Sequence, residues 1–354
     1  VLTGGAGNDT LTGAAGNETH AGSAGNDLLV ARSGTDTLSG GAGNDMLELD
    51  ADLDATDKLD GGANADTLKL DGDYAAGVVF GAATVTNVET IALAAGHDYK
   101  LTLNNATNTA GLAVDGSALG AGDTVTLDGS AETASALTAT GGAGNDAIAG
   151  GAGADILDGG AGDDVVTAGA GNDTLTGGSG NDVFVLAANL TAADKIDGGA
   201  DYDIVKLQGN YAGGVTLTAA TVANVEEIDL AAGSSYKLTL TDANDTTGLK
   251  IDGSLLAAGQ VMTVNGAAET DAPLTLLAGA GNDALTAGAR DDLLDGGAGN
   301  DTLTAGAGED SVQGGAGNDT IAMLGNLDAG DRIDGGADID TLTLNGDYAA
   351  GVVF

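Results

Sequence analysis

Along this chain, apolar and polar positions recur with a period of nine in three uninterrupted stretches. From Gly4 to Glu48 the copies read GGAGNDTLT, GAAGNETHA, GSAGNDLLV, ARSGTDTLS and GGAGNDMLE. From Gly141 to Val185 they read GGAGNDAIA, GGAGADILD, GGAGDDVVT, AGAGNDTLT and GGSGNDVFV. From Ala278 to Ala322 they read AGAGNDALT, AGARDDLLD, GGAGNDTLT, AGAGEDSVQ and GGAGNDTIA. All fifteen follow one template, G-G-x-G-x-D-x-U-x, whose eighth position is aliphatic or Phe in every copy but one, where His20 stands. Six Gly-rich residues predict a tight turn, and the next three predict a short strand with its eighth position pointing inward. Two nonapeptides then make one coil of a two-stranded parallel solenoid, so equivalent turns stack at every second copy.

A longer repeat encloses the short one. Tyr74, Tyr211 and Tyr348 sit in GDYAAGVVF, GNYAGGVTL and GDYAAGVVF, each at the same offset from the one before. The predicted organisation is a unit over 1–140, a second over 141–277 and a partial third over 278–354. Each opens with its nonapeptides, at 4–48, 141–185 and 278–322, and the first two continue as wider solenoid over 49–140 and 186–277. Both ends of the chain read as cuts through a longer array. Between blocks, VVF, TIAL, KLTL, LAV, TVTL and LTAT are separated by Gly, Asn and Asp turns without a Pro/Ser linker. That favours a continued stack over separate β-sandwiches. The expected fold is all-β, a right-handed, rod-like parallel β-roll or β-helix solenoid with cations in its turns. After each block Asp57, Asp60 and Asp66 recur as Asp194, Asp197 and Asp203, then as Asp331, Asp334 and Asp340. They read equally well as a further metal-binding coil and as Asx caps.

Charge changes this picture. The chain carries 53 acidic and 10 basic side chains, a net charge of -43. That imbalance disfavours nucleic acid and direct membrane insertion, and it would drive a compact fold apart unless cations enter it. Hydrophobic residues make up 42%, too many for simple disorder, while aromatics at 3% and the absence of Trp argue against a large globular core. There is no Cys, so neither disulfides nor thiolate metal sites enter. No HExxH, GxSxG or Walker loop occurs, and no catalytic residue is expected. DADLDA at 50–55 begins like an EF-hand but lacks its Gly and its closing Glu. His20 reads as an eroded core position and His97 as a loop residue.

The sixth positions supply the chemistry. Asp9, Asp27 and Asp45 would stack on one edge with Glu18 and Asp36 on the other; Asp146, Asp164 and Asp182 oppose Asp155 and Asp173; Asp283, Asp301 and Asp319 oppose Asp292 and Asp310. Carboxylates stacked at the strand spacing of about 4.8 Å repel, and a hard divalent cation between them reverses the sign of that interaction. Calcium, which accepts six to eight oxygens at flexible angles, suits Gly-rich turns better than magnesium does. A solvated acidic face is the bland alternative, and the fixed Gly spacing argues against it.

These nonapeptides resemble the RTX repeats of secreted bacterial proteins, a calcium-binding motif. The resemblance implies that each ion sits between turns one coil apart. The earlier turn gives its second and fourth carbonyls and its acid, and the later turn gives its first and third carbonyls and its acid. In the first block the expected ligands are Gly5, Gly7 and Asp9 with Gly22, Ala24 and Asp27; then Ser23, Gly25 and Asp27 with Gly40, Ala42 and Asp45; and Asp36 on the other edge. In the second they are Gly142, Gly144 and Asp146 with Gly159, Ala161 and Asp164; Gly160, Gly162 and Asp164 with Gly177, Ser179 and Asp182; and Gly151, Gly153 and Asp155 with Ala168, Ala170 and Asp173. In the third they are Gly279, Gly281 and Asp283 with Gly296, Ala298 and Asp301; Gly297, Gly299 and Asp301 with Gly314, Ala316 and Asp319; and Asp292 with Ala305, Ala307 and Asp310. Three gaps in each of three blocks give roughly nine calcium ions or more. Glu18, Ala31 and Arg32 weaken one site of the first block, and Arg290, in place of a fourth-position Gly, is expected to strain its turn. The resemblance further implies export as an unfolded thread by a type I secretion system. The expected role is a calcium-stiffened extracellular structure in a surface layer, filament or adhesin, with self-association or attachment to the bacterial cell surface. The competing role is the export and folding module of a larger toxin or hydrolase. Ice or ligand binding would need a regular Thr row, which is absent.

Overall fold

The computed structural model describes residues 1–81, 84–104, 111–133, 135–241, 248–325 and 327–346. Tyr348, in the third copy of the long repeat, lies outside them. The chain is an all-β parallel solenoid that divides into two compact units, Val1–Asp182 and Val183–Phe354.

In the first unit one column of inward side chains runs through successive coils. Leu11, Leu29 and Leu47 align at the spacing of two nonapeptides, followed by Leu68, Ile91, Val114 and Ala139 as the coils lengthen. Leu157 and Leu175 then restore the shorter spacing. Parallel pairing therefore continues from the first block through the intervening segment into the second, as the absence of a linker predicts. The longer coils absorb their extra residues in loops and, opposite Tyr99–Leu101, in a bulge between Tyr74 and Val78, while this column keeps register. His20 occupies the Leu column of the opposite sheet, paired with Leu2 and Leu38 and only 1% exposed. The second unit repeats the arrangement. Phe184, Val205, Ile228, Ile251, Leu276, Leu294, Val312 and Ile333 form one column, and Val215, Leu238, Val264, Leu285, Leu303, Ile321 and Leu342 form another.

On some edges the turns are shorter than the template predicts. Several strands run for six residues, such as Thr37–Ala42 and Thr174–Ser179, and take in the first three positions of the next nonapeptide. There only the fourth to sixth positions turn, whereas three-residue strands such as Ala147–Ala149 and Val165–Thr167 are followed by the six-residue turn the template predicts. The reason lies in how closely the coils stack: Gly41 and Gly43 adopt φ of 114° and 131°, and a Cβ on either would overlap the carbonyl oxygen of Ser23 or Gly25 in the preceding coil.

The wider coils have their own core. Tyr74 stacks on Tyr99 with ring centroids 5.9 Å apart, and Tyr211 stacks on Tyr236 at 5.8 Å. The Tyr99 hydroxyl donates to the carbonyls of Leu70 (3.0 Å) and Ala94 (2.8 Å), and Tyr236 does the same to Leu207 and Ala231. Tyr74 donates to the Asp50 carbonyl. Among the described residues no helix is long and apolar enough to cross a membrane.

Candidate metal centres

The sixth-position acids stack in the order their spacing predicts. The amide of Asp9 donates to Asp27 Oδ1 (2.8 Å), that of Asp27 to Asp45 Oδ1 (2.8 Å), and on the other edge that of Glu18 to Asp36 Oδ1 (2.8 Å). The second block repeats this from Asp146 to Asp164 to Asp182 and from Asp155 to Asp173. The third repeats it from Asp283 to Asp301 to Asp319 and from Asp292 to Asp310. From the second coil of the first block onward, each of these acids thus spends one carboxylate oxygen on the backbone of the preceding coil.

The other oxygen turns inward beside the first glycine of its own turn. A Cβ placed on Gly4 would lie 2.6 Å from Asp9 Oδ2 and 2.7 Å from the carbonyl oxygen of Gly22 in the next coil. At Gly296 the same point lies 2.6 Å from both Asp301 Oδ2 and the Gly314 carbonyl oxygen. Oδ2 of Asp27, Asp36, Asp45, Asp146, Asp164, Asp283, Asp301, Asp310 and Asp319 is buried with no hydrogen-bond partner. Orphaned buried carboxylate oxygens are costly, because each forfeits its water without a replacement. Burial accordingly raises the carboxyls, Asp164 and Asp301 to about 7 and Asp146 and Asp292 to about 6, with stacked aspartates adding repulsion at Asp164 and Asp301.

The carbonyls expected as ligands line up from coil to coil. From the earlier turn, the oxygens of Gly7, Ser23, Gly25, Gly142, Gly144, Gly151, Gly153, Gly160, Gly162, Gly279, Gly281, Gly297 and Gly299 face the equivalent glycine of the next coil. From the later turn, Ala24 and Ala42 accept the amides of Gly7 (2.7 Å) and Gly25 (2.8 Å), as Ser179 and Ala316 accept those of Gly162 and Gly299. A carbonyl has two lone pairs, so one such bond leaves an oxygen able to meet a cation. Gly5 pairs with Ser23 in register, which places the second positions of successive turns side by side. The donor set is all oxygen and its charge is carboxylate, which fits calcium.

At the two positions expected to be weak, the backbone keeps its course. Glu18 keeps its place in the ladder, and its longer side chain folds back so that Oε1 accepts the Ala14 amide (2.7 Å) and Oε2 is left buried by Gly13. Arg32 turns outward to Asp50 at 3.3 Å. Arg290 does not strain its turn, because it lies outside the left-handed region, as do Gly144, Gly153 and Gly281 in the opening turns of the second and third blocks. Its carbonyl still faces Gly308.

Downstream, Asp57 and Asp66 accept the amides of Asp36 and Asp45 and so extend both ladders, while Asp60 accepts from the Asn87 side chain outside. Asp331 and Asp340 extend the third block in the same way. Glu89 ends the ladder beyond Asp66, and Glu226 ends the one beyond Asp203.

A second ladder has no counterpart in the template. The fifth-position Oδ1 of Asn8 accepts the amide of Asn26, and Asn26 accepts that of Asn44; Asn145, Asp163 and Asn181, and then Asn282, Asn300 and Asn318, repeat it. The prevalence of Asn at that position is the signal that could have revealed it. Elsewhere, one set of three carboxylates among the described residues comes within 4.8 Å: Glu227, Asp229 and Asp252. Lys250 already bridges it, 2.6 Å from Glu227 and 2.8 Å from Asp252.

Comparison with known families finds the model for "RTX calcium-binding nonapeptide repeat (4 copies)" at residues 1–29, 15–47, 138–166, 158–188, 275–303 and 286–321. No curated protein matches the chain.

Proposed function

Since three blocks of this chain are RTX calcium-binding nonapeptide repeats, we propose that calcium drives its folding and that the folded product is an extracellular structural element. The observation that carries the first part is the row of buried Oδ2 atoms with no partner. Each is a cost in the cation-free fold and a ligand in the loaded one. Fixing a nine-residue repeat costs about 9–18 kcal/mol of backbone entropy at 1–2 kcal/mol per residue. Its single buried Leu returns about 1.5–3 kcal/mol, which leaves a large deficit for hydrogen bonds and ions to close. A calcium ion shared by two turns binds the folded state alone, so its binding free energy becomes folding free energy. Roughly nine ions follow from three gaps in each block.

RTX repeat proteins are generally secreted by bacteria, and an export route that threads an unfolded chain, such as type I secretion, suits a fold that waits for external calcium. Repetition of whole units, marked by the matching segments around Tyr74 and Tyr211, supports a structural role in a surface layer, filament or adhesin, attached to the cell or self-associating, with no catalysis of its own. Circular dichroism during calcium titration of chelated protein tests the folding claim. We expect a coil-like spectrum to become a β spectrum within the millimolar range. A full β spectrum at neutral pH in calcium-free buffer would overturn it. Electron microscopy of the calcium-loaded protein separates a polymer from a monomeric module.

A further inference from the structure

The coil that precedes the second block contains a buried acid that the nonapeptide template does not supply. Glu132 is 5% exposed, and its Oε1 is buried with no hydrogen-bond partner. Its backbone stands where the second position of a turn would be. The Ala152 amide donates to the Glu132 carbonyl at 2.8 Å, as the Ala170 amide donates to the second-position carbonyl of Gly151 at 2.7 Å. A Cβ on Gly151 would overlap that same Glu132 oxygen and lie 2.9 Å from Glu132 Cβ, and one on Gly153 would overlap the Ser135 carbonyl oxygen. The gap above Asp155 is therefore built like those between nonapeptides, with carbonyls at the second and fourth places. One part differs. The sixth place of the earlier coil is held by Leu137, whose amide donates to Asp155 Oδ1 (2.7 Å), so no acid stands there.

We infer that Glu132, reaching in from the second place, supplies the missing carboxylate and that Glu132 and Asp155 bind an additional calcium ion at the leading edge of the block. The proposal rests on calcium binding by the repeats themselves. The opposite edge of the same block is an internal control. There Leu119 holds the equivalent place: its carbonyl accepts the Ala143 amide at 3.1 Å, and its Cβ lies 2.7 Å from a Cβ built on Gly142. Leu119 is 3% exposed, so that edge is closed by an apolar plug with no carboxylate. The backbone accepts either residue, and a structural cap would be cheaper as Leu than as a desolvated acid. The carboxyl of Glu132 is accordingly raised, by burial first and then by Asp155. The second unit has the same pair, Glu269 beside the Asp292 turn and Leu256 beside the Asp283 turn.

The test counts bound calcium by atomic emission after equilibrium dialysis, in the full chain, with Glu132→Leu and Glu132→Gln. Leu is already tolerated at the equivalent position, and Gln keeps the shape while removing the charge. Both variants should hold one calcium ion fewer per chain than the parent, with the β spectrum retained. An unchanged count in either folded variant overturns the inference and leaves calcium binding by the repeats intact. A parent chain that holds no calcium defeats both.

Discussion

Within the second block, the coil from Asp155 to Asp173 buries Leu157, Val166 and Ala168 together with three carboxylates, Asp155, Asp164 and Asp173. The wider coil from Thr90 to Val114 buries Ile91, Leu93, Tyr99, Leu101, Leu103, Leu112 and Val114, and no charged side chain among its described residues. Both continue the same parallel ladder with their side chains in register. Register is thus a property of the stack, whereas the source of stability changes along it. Where the coil shortens to two nonapeptides the interior holds fewer apolar side chains, and buried carboxylates, with the calcium they are proposed to hold, take the place of the larger core. Where it lengthens, ordinary burial suffices.

The sharpest way to break that contrast is at Asp164, which touches two gaps through Asp146 and Asp182. Asp164→Ala should remove two ions. At calcium 100-fold above its dissociation constant each ion contributes about 2.7 kcal/mol, so a loss of about 5 kcal/mol is expected. The loss should grow with calcium concentration in denaturant unfolding. A loss independent of calcium would show that Asp164 acts through its hydrogen bonds alone.

Tyr99→Ala should behave in the opposite way. It removes a buried ring, its stack on Tyr74 and the bonds to Leu70 and Ala94, for about 3–5 kcal/mol by analogy with other aromatic truncations. That loss should be the same at every calcium concentration that keeps the chain folded. Calcium dependence here would mean that wide and narrow coils do not differ in the way described.

A smaller, two-signed effect is expected from pH. In calcium-free buffer the raised carboxyls of Asp146 (about 6) and Asp164 (about 7), the latter facing Asp146, Asp182 and Asp158, bind protons more tightly folded than unfolded. Their contribution is complete below the ordinary carboxylate range near 4 and is lost as pH rises through about 6–7. Acid should therefore stabilise the calcium-free fold. With calcium the slope should invert, since the ions require ionised ligands. Circular dichroism between pH 4.5 and 8 without calcium, and urea midpoints over the same range with it, check this; a calcium-free β signal that does not grow toward acid would contradict it.

Most of the repeat architecture could be read from residues alone, because the coil of two nonapeptides ties one apolar and one acidic position to each turn. Leu11, Leu29 and Leu47 fall into their column, and Asp9, Asp27 and Asp45 into theirs, as spacing alone requires. What could not be read depends on contacts across coils of unequal length. Glu132 acts from a second position in a coil without a nonapeptide, so no template points to it. Asp66 joins the ladder while Asp60 faces outward, although both recur at the same offsets. Strands that run on through Gly40 and Gly41 break the expectation that glycine marks the turn. Here glycine is selected for closeness of stacking as much as for turning.

The two ladders point in opposite directions. At the sixth position an earlier coil donates to a later one, and at the fifth a later coil donates to an earlier one. A finished coil consequently presents a mixed row of half-made bonds, donors beside acceptors, that only a coil in the correct register can complete. The exposed end of the stack therefore acts like the growing face of a crystal. Addition there is self-proofreading, and a slipped coil leaves both rows unmatched at once.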